Sequence, residues 1–381
     1  MGTVARQSVD RELAIGDVVE VRSAEEILAG LDERGELDAL PFMPEMLQFA
    51  GRRFVVDKIA FKTCDTATWT GMRRMTDTVH LKGLRCDGQA HGGCQAGCLL
   101  FWRTSWLTRV PDGSAPDPAP PAPDAVWSAA ADAMPTGAPG TVRGCTPERL
   151  VEIAHGACRP EEPEGSDSTD GQDGIRYSCQ ATELPRAAPT VISMWQPGQY
   201  VEDVRTGNAT VGHVIRGILI GFFNQYQDLS RKVLPRLLRI KDGTRYPFIQ
   251  GSAGKTPVET LGLQPGEWVR VKSAAEIAKT LGPNNRNRGL FFDREMLRYC
   301  GRTAQVLRRV DHIVDEASGH MLTMKTPSVI LADVVCTADF HRSCSRAIYA
   351  YWREIWLERV PAPAVASSDP AVDALPVRAA P

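Results

Sequence analysis

The alternation of apolar and polar positions occurs twice along this chain, in nearly the same form. Val19 and Val21 alternate with charged neighbours as in a half-buried strand, and Val269 and Val271 do the same much later. Each strand pattern is followed by a serine with a glutamate three positions on, Ser23 with Glu26 and Ser273 with Glu276. That is capping-box spacing, in which hydroxyl and carboxylate satisfy amides at a helix start. The predicted helices end near Gly30 and Leu281, and a second short helical piece carries Met46-Leu47 or Met296-Leu297 before stopping at Gly51 or Gly301. Strand-like runs follow over 53–63 and 79–86, with equivalents over 304–314 and 329–336, and 315–319 reads as a turn. The stretch 99–110 mixes aromatic and basic residues and fits helix or strand.

Sliding the chain against itself places residues 16–111 on 266–361 without a gap, at roughly 30 identities, the kind of self-similarity that marks a repeat. Trp102-Arg103, Trp106-Leu107 and Arg109-Val110-Pro111 recur as Trp352-Arg353, Trp356-Leu357 and Arg359-Val360-Pro361. The match reads as a duplication. The expected fold is therefore α+β: two homologous small β-rich modules, each an SH3-like barrel or a bent antiparallel sheet with short inserted helices. A proline-rich linker and a mainly helical middle segment join them.

The expected organisation is an N-terminal extension over 1–15, a first module over 16–111 and a Pro/Ala-rich linker over 112–144 without a core. A middle segment over 145–262 follows, with an acidic loop at 159–176 and a helix at about 211–241. The second module spans 263–361, and a tail like the linker spans 362–381. In the middle helix Ile215, Ile218, Leu219, Phe222, Phe223 and Tyr226 share one broad face, which predicts a core helix with a basic end; the other reading is an amphipathic binding surface.

Charge narrows the partner classes. A formal net charge of −2 over 381 residues argues against a general polyanion binder. The start of the chain lacks an apolar signal core, and the most apolar run is far shorter than a membrane span, so a cytoplasmic protein without a transmembrane segment is expected. In a reducing compartment, ten cysteines point to metal or buried thiols before disulfides.

The cysteines cluster. Cys86, His91, Cys94 and Cys98 form C-x4-H-x2-C-x3-C, preceded by Cys64, and Gly88, Gly92, Gly93 and Gly97 permit the tight turns needed to wrap one ion. Thiolates and imidazole suit Zn²⁺. A [4Fe–4S] cluster competes: Cys86, Cys94 and Cys98 would hold three irons, Cys64 or Cys179 the fourth, with His91 beside the sulfurs. The spacing does not separate the two metals. The second copy keeps Cys336, His341 and Cys344, with Ile348 and Val314 where the first has Cys98 and Cys64; Asp315 and His312 lie close in sequence to the lost position. It is a lost site, a site completed from elsewhere, or an open three-ligand site. Cys300 falls opposite Ala50 and reads as a core thiol, Cys158 as packing; Cys145 and Cys179 are open between packing and a shared site.

These features support a metal-dependent enzyme, zinc or iron–sulfur, of bacterial specialised metabolism, acting on a small molecule through an undefined reaction. The alternative is a non-catalytic scaffold with a structural zinc whose two modules grip a protein or nucleic-acid partner. For the latter, Arg103, Arg109, Arg353 and Arg359 would have to be exposed beside the tryptophans; shared core packing explains the same residues. Whether the chain is an enzyme at all, and its oligomeric state, the sequence leaves open.

Overall fold

The computed structural model describes residues 12–111, 113–118, 145–156 and 174–363. Most of the expected linker, Cys158, most of the acidic loop, and all but two residues of the expected tail fall outside them. The architecture is mixed sheet and helix, with several antiparallel sheets and few helices.

The first unit begins with β1 (Val18–Val21) and α1 (Ala24–Ala29), which starts at the expected capping box: the Ser23 N–H donates to Glu26 at 3.1 Å and the Glu26 N–H to Ser23 Oγ at 3.2 Å. After β2 (Glu36–Leu37) and β3 (Leu40–Pro41), a 3₁₀ turn over Pro44–Phe49 carries Glu45 and Met46 inward. Then come β4 (Arg53–Ile59), β5 (Lys62–Asp65), β6 (Gly71–Arg74), β7 (Thr78–Leu81), β8 (Trp102–Arg103) and β9 (Leu107–Arg109). Hydrogen bonding orders the main sheet β8-β7-β4-β1-β9. Strands β8 and β9 are its edges, so the sheet is open and no closed barrel forms among the described residues.

Between the units lie α2 (Pro147–Ala154), α3 (Leu184–Ala187), β10 (Val191–Ile192), α4 (Gly198–Arg205) and α5 (Val211–Val233). The second unit has β11 (Trp268–Val271), α6 (Ala274–Thr280), β12 (Arg286–Asn287), β13 (Leu290–Phe291), β14 (Thr303–Arg309), β15 (His312–Val314), β16 (Met321–Thr323), β17 (Ser328–Leu331), β18 (Trp352–Arg353) and β19 (Leu357–Arg359). Its main sheet runs β18-β17-β14-β11-β19, the order of the first. Registers correspond as well: Val19 faces Arg109 and Val269 faces Arg359, and the register shifts at Val56/Lys58 and again at Val306/Arg308.

The tryptophan–arginine strips are interior. Trp102, Trp352 and Trp356 have no measurable exposure, and Phe42 meets Trp106 edge-on at 5.2 Å as Phe292 meets Trp356. Buried Arg103 spreads its donors over the carbonyls of Leu37, Asp38 and Thr76, and Arg353 serves Asn287, Arg288 and Thr326 in the same way. A rigid five-donor fork suits this task. Arg109 and Arg359 pair with Asp17 and Glu267. The strips therefore present no free aromatic–basic face for nucleic acid.

The middle helix departs from the core expectation. Its only fully buried residues are Gln227 and Ser230, while Ile215, Leu219, Phe222, Tyr226, Leu229 and Val233 are exposed. Gln227 faces inward because its amide donates to the carbonyls of Ile240 and Thr244, anchoring the following turn and rotating the apolar stripe outward.

Buried His80 on β7 helps join the units, its Nδ1 2.8 Å from the Leu100 carbonyl and its Nε2 3.1 Å from Ser345 Oγ. Burial drives its pKa down to about 3, against the pull of that carbonyl. The unfolded chain takes up this proton below about 6.5 while the folded one does not. The stability it contributes is complete above that pH and is lost toward about 3, at about 1.4 kcal/mol per pH unit. Urea unfolding between pH 7 and pH 4 should show this slope, and His80→Gln should flatten it; an unchanged slope in the variant would rule His80 out as its source.

Candidate metal centres

Loop 86–98 joins β7 to β8 and is closed by the Cys86 N–H donating to the Cys98 carbonyl at 2.8 Å. Inside it the His91 and Gly93 amides donate to Gly88 O, and the Cys94 amide to His91 O. Gly88 and Gly92 are left-handed, at φ 77° and 60°. A Cβ on Gly88 would lie 2.0 Å from the Cys94 carbonyl oxygen, and one on Gly92 2.3 Å from the Tyr177 hydroxyl, so only glycine fits. The second unit builds the same turn, closing Cys336 on Ile348 at 2.8 Å, with Ala338 and Arg342 held at φ 60° and 50°.

Among the described residues two groups have the chemistry and spacing to hold a metal ion: Glu45, Cys86 and His91, and Glu295, Cys336 and His341, each with donor atoms within 4.8 Å of one another. The second group lies 250 positions after the first. Both glutamates recur in the two copies, yet a capping or surface role accounts for them equally well in sequence. Structure places Glu45 inside, its Oε1 accepting from the Ala90 amide at 3.1 Å and lying 2.7 Å from His91 Nδ1, while its buried Oε2 has no partner. Glu295 accepts from the Phe340 amide at 2.6 Å and the Thr337 hydroxyl at 3.0 Å.

Around the first group gather the thiols. Cys86, Cys94, Cys98 and Cys179 line one small pocket of about 30 Å³ with His91, Val314 and Arg346. Cys179, from the unrepeated middle segment, joins the three loop cysteines. Cys64, expected there as an alternative fourth ligand, lies elsewhere: β5 crosses to the other unit, where the Cys64 amide donates to Cys344 Sγ at 3.1 Å. The converse contact is present too, the Val314 amide donating to Cys94 Sγ at 3.3 Å. Each unit thus lends its β5-type strand to the other unit's cysteine loop.

His91 has both ring nitrogens engaged, Nδ1 with Glu45 and Nε2 3.0 Å from the Ser178 carbonyl. Burial opposes its protonation, but the Glu45 carboxylate outweighs burial and raises its pKa. Burial and then neighbouring Glu45 push the Cys86 thiol well up, burial likewise raises Cys98, and Cys179 rises to about 11. Without a cation these thiols stay protonated, so loading a metal must release protons.

In the second unit Cys64, Cys336 and Cys344 line a cleft of about 540 Å³ together with His341 and Arg346. Cys336 Sγ is 3.3 Å from His341 Nδ1, and His341 Nε2 is 3.4 Å from Asp293. Burial opposes a thiolate at Cys344, but the Cys64 thiol and the amides of Arg346 and Cys64 outweigh it and lower its pKa. Arg346, buried and paired with Glu316 at 2.9 Å, borders both thiol sets and adds positive charge where thiolates would gather. Neither Arg346 nor Glu316 is marked by any spacing in the sequence.

His312 and Asp315 do not approach the second loop. The crossing hairpin carries them to the first, where the Gln95 amide donates to His312 O, while Asp315 accepts from Ser318 in its own turn. Cys300 packs on the second core and Cys145 on the first. No protein-family model, curated protein or solved structure matches this chain, so the functional reading rests on this geometry.

Proposed function

We propose that this chain is a metal-dependent enzyme built from a duplicated module, with a closed four-thiol centre in the first unit and an open three-thiol centre in the second. The observation that carries the reading is that contrast: four cysteines around a pocket of about 30 Å³, against Cys64, Cys336 and Cys344 bordering a cleft of about 540 Å³, large enough for a small molecule. A centre that only stabilised the fold would need no such opening.

For the closed centre an iron–sulfur cluster fits better than one zinc. Sulfurs on a single tetrahedral zinc stand about 3.8 Å apart. Among the described residues Cys94, Cys98 and Cys179 do not form a group within 4.8 Å, and His91 is already engaged on both nitrogens. Wider-spaced thiols suit a multi-iron core, with His91 beside the sulfurs. The second reading, a mononuclear zinc on Glu45, Cys86 and His91 in a scaffold protein, is favoured by the unpartnered Glu45 Oε2.

Anaerobic reconstitution with iron and sulfide separates the two. A brown protein absorbing broadly at about 400 nm, with the colour diminished in Cys94→Ala, is the expected result. A colourless protein that keeps zinc through the same treatment would replace the cluster with the scaffold reading.

A further inference from the structure

The cleft of the second unit corresponds to a groove that is already filled in the first. There, Gln180 lies buried against β8: the Phe101 N–H donates to its Oε1 at 2.8 Å, and its Nε2 donates to the carbonyls of Phe101 at 2.8 Å and Pro41 at 3.0 Å. This seats the preceding residue, Cys179, beside Cys86, Cys94 and Cys98. A short peptide segment thus borders the first centre, bonding the backbone of Phe101, just before β8, and of Pro41 with an amide side chain and supplying a thiol.

The residues 250 positions on from Phe101, Pro41 and Cys86 are Tyr351, Phe291 and Cys336, and all three line the open cleft. Among the described residues no counterpart of segment 178–184 lines the cleft, and the segment's sequence occurs once in the chain. Among the described residues no side chain is hydrogen-bonded to the Tyr351 N–H or C=O, the pair matching the one Gln180 engages. The thiol count differs in the same sense, with three cysteines where the covered groove has four.

We propose that this cleft receives a short, turn-forming, cysteine-bearing peptide from another molecule, since residues 180–183 form a turn in which the Glu183 N–H donates to the Cys179 carbonyl at 3.0 Å. Its thiol takes beside Cys64, Cys336 and Cys344 the place that Cys179 takes in the first unit, and an amide side chain next to it bonds Tyr351 as Gln180 bonds Phe101. The role of the peptide thiol rests on the reading of these three cysteines as a metal centre; the fit of the peptide to the groove does not. The ligand is a peptide rather than a free thiol because the groove is matched by a backbone-spanning segment.

A fluorescein-labelled synthetic peptide with the sequence of residues 178–184 is the probe, titrated by anisotropy into the full chain after anaerobic reconstitution. Saturable 1:1 binding is expected, with a change in the visible or paramagnetic signature of the second centre. Gln180→Ala within the peptide should weaken binding about tenfold, the loss of one or two net hydrogen bonds. Cys179→Ser within the peptide should abolish the spectral change. These substitutions leave the protein untouched, so folding is not in question. Ile348→Trp, which fills the groove, should abolish binding and leave the first centre's spectrum unchanged. No binding at millimolar peptide, equal binding to the Ile348→Trp protein, or an equal effect of free cysteine would each overturn the proposal. If binding fails while iron content and spectra match expectation, only this inference falls. If the peptide binds a protein that takes up no iron, the groove stands and the thiol's role falls with the cluster.

Discussion

Cys64→Ala should remove metal from the second unit and leave the first unit's centre intact, although Cys64 belongs to the first unit by sequence. Its amide and thiol face Cys344, and it borders the cleft with Cys336, while the pocket of Cys86, Cys94 and Cys98 is completed by Cys179. Cys179→Ala should do the reverse. Each variant should lose roughly half of the metal bound by the wild type, because ligand loss acts on its own site through the coupling of binding to thiolate supply. Elemental analysis with visible and paramagnetic spectra of both variants makes the measurement. Loss of the first centre in Cys64→Ala, with the second unaffected, would mean the crossing of β5 is wrong.

The largest expected effect on stability lies in the strand that makes this crossing. Lys62 on β5 is 1% exposed and its Nζ lies 2.6 Å from Asp203 Oδ2 on α4, which has no exposure. Burial lowers the Lys62 pKa and pushes Asp203 up to about 6, so each charge is held by its partner against desolvation. Asp203 Oδ1 has no other partner. Lys62→Met leaves a buried carboxylate alone and should cost about 3–5 kcal/mol, whereas Lys62→Met with Asp203→Leu should recover most of it. Denaturant unfolding of the wild type and both variants tests this. A single-variant loss under about 1 kcal/mol would show that water reaches the pair.

Much of the local structure could be read residue by residue. Both helices begin at serine–glutamate capping boxes, and the short pieces carrying Met46 and Met296 stop at Gly51 and Gly301 as expected, although they are 3₁₀ turns. The β4–β5 and β14–β15 regions were expected as single strand-like runs, and each instead breaks at a corner: β5 pairs with β6, and β15 with β16. Alternation sets which face of a strand is apolar, but it does not show where the strand leaves its sheet. The α5 stripe misleads for a related reason, since apolar periodicity shows that a helix has a face without showing which way it turns.

The features legible in the residues alone are local and repeated. The capping boxes, the glycines that let loop 86–98 fold on itself, the spacing of Cys86, His91 and Cys94, and the echo of that kernel at Cys336, His341 and Cys344 all depend on neighbours within a few residues. Which thiols share a pocket is set by long-range packing. Cys64 lies nearer in sequence to Cys86 than Cys179 does, yet Cys179 joins Cys86, and Cys64 joins Cys344. Glu45 turns inward to His91, and Arg346 borders both thiol sets. The reason is physical: ligand spacing fixes how a loop can close, whereas the remaining donors arrive on strands placed by the packing of one unit against the other.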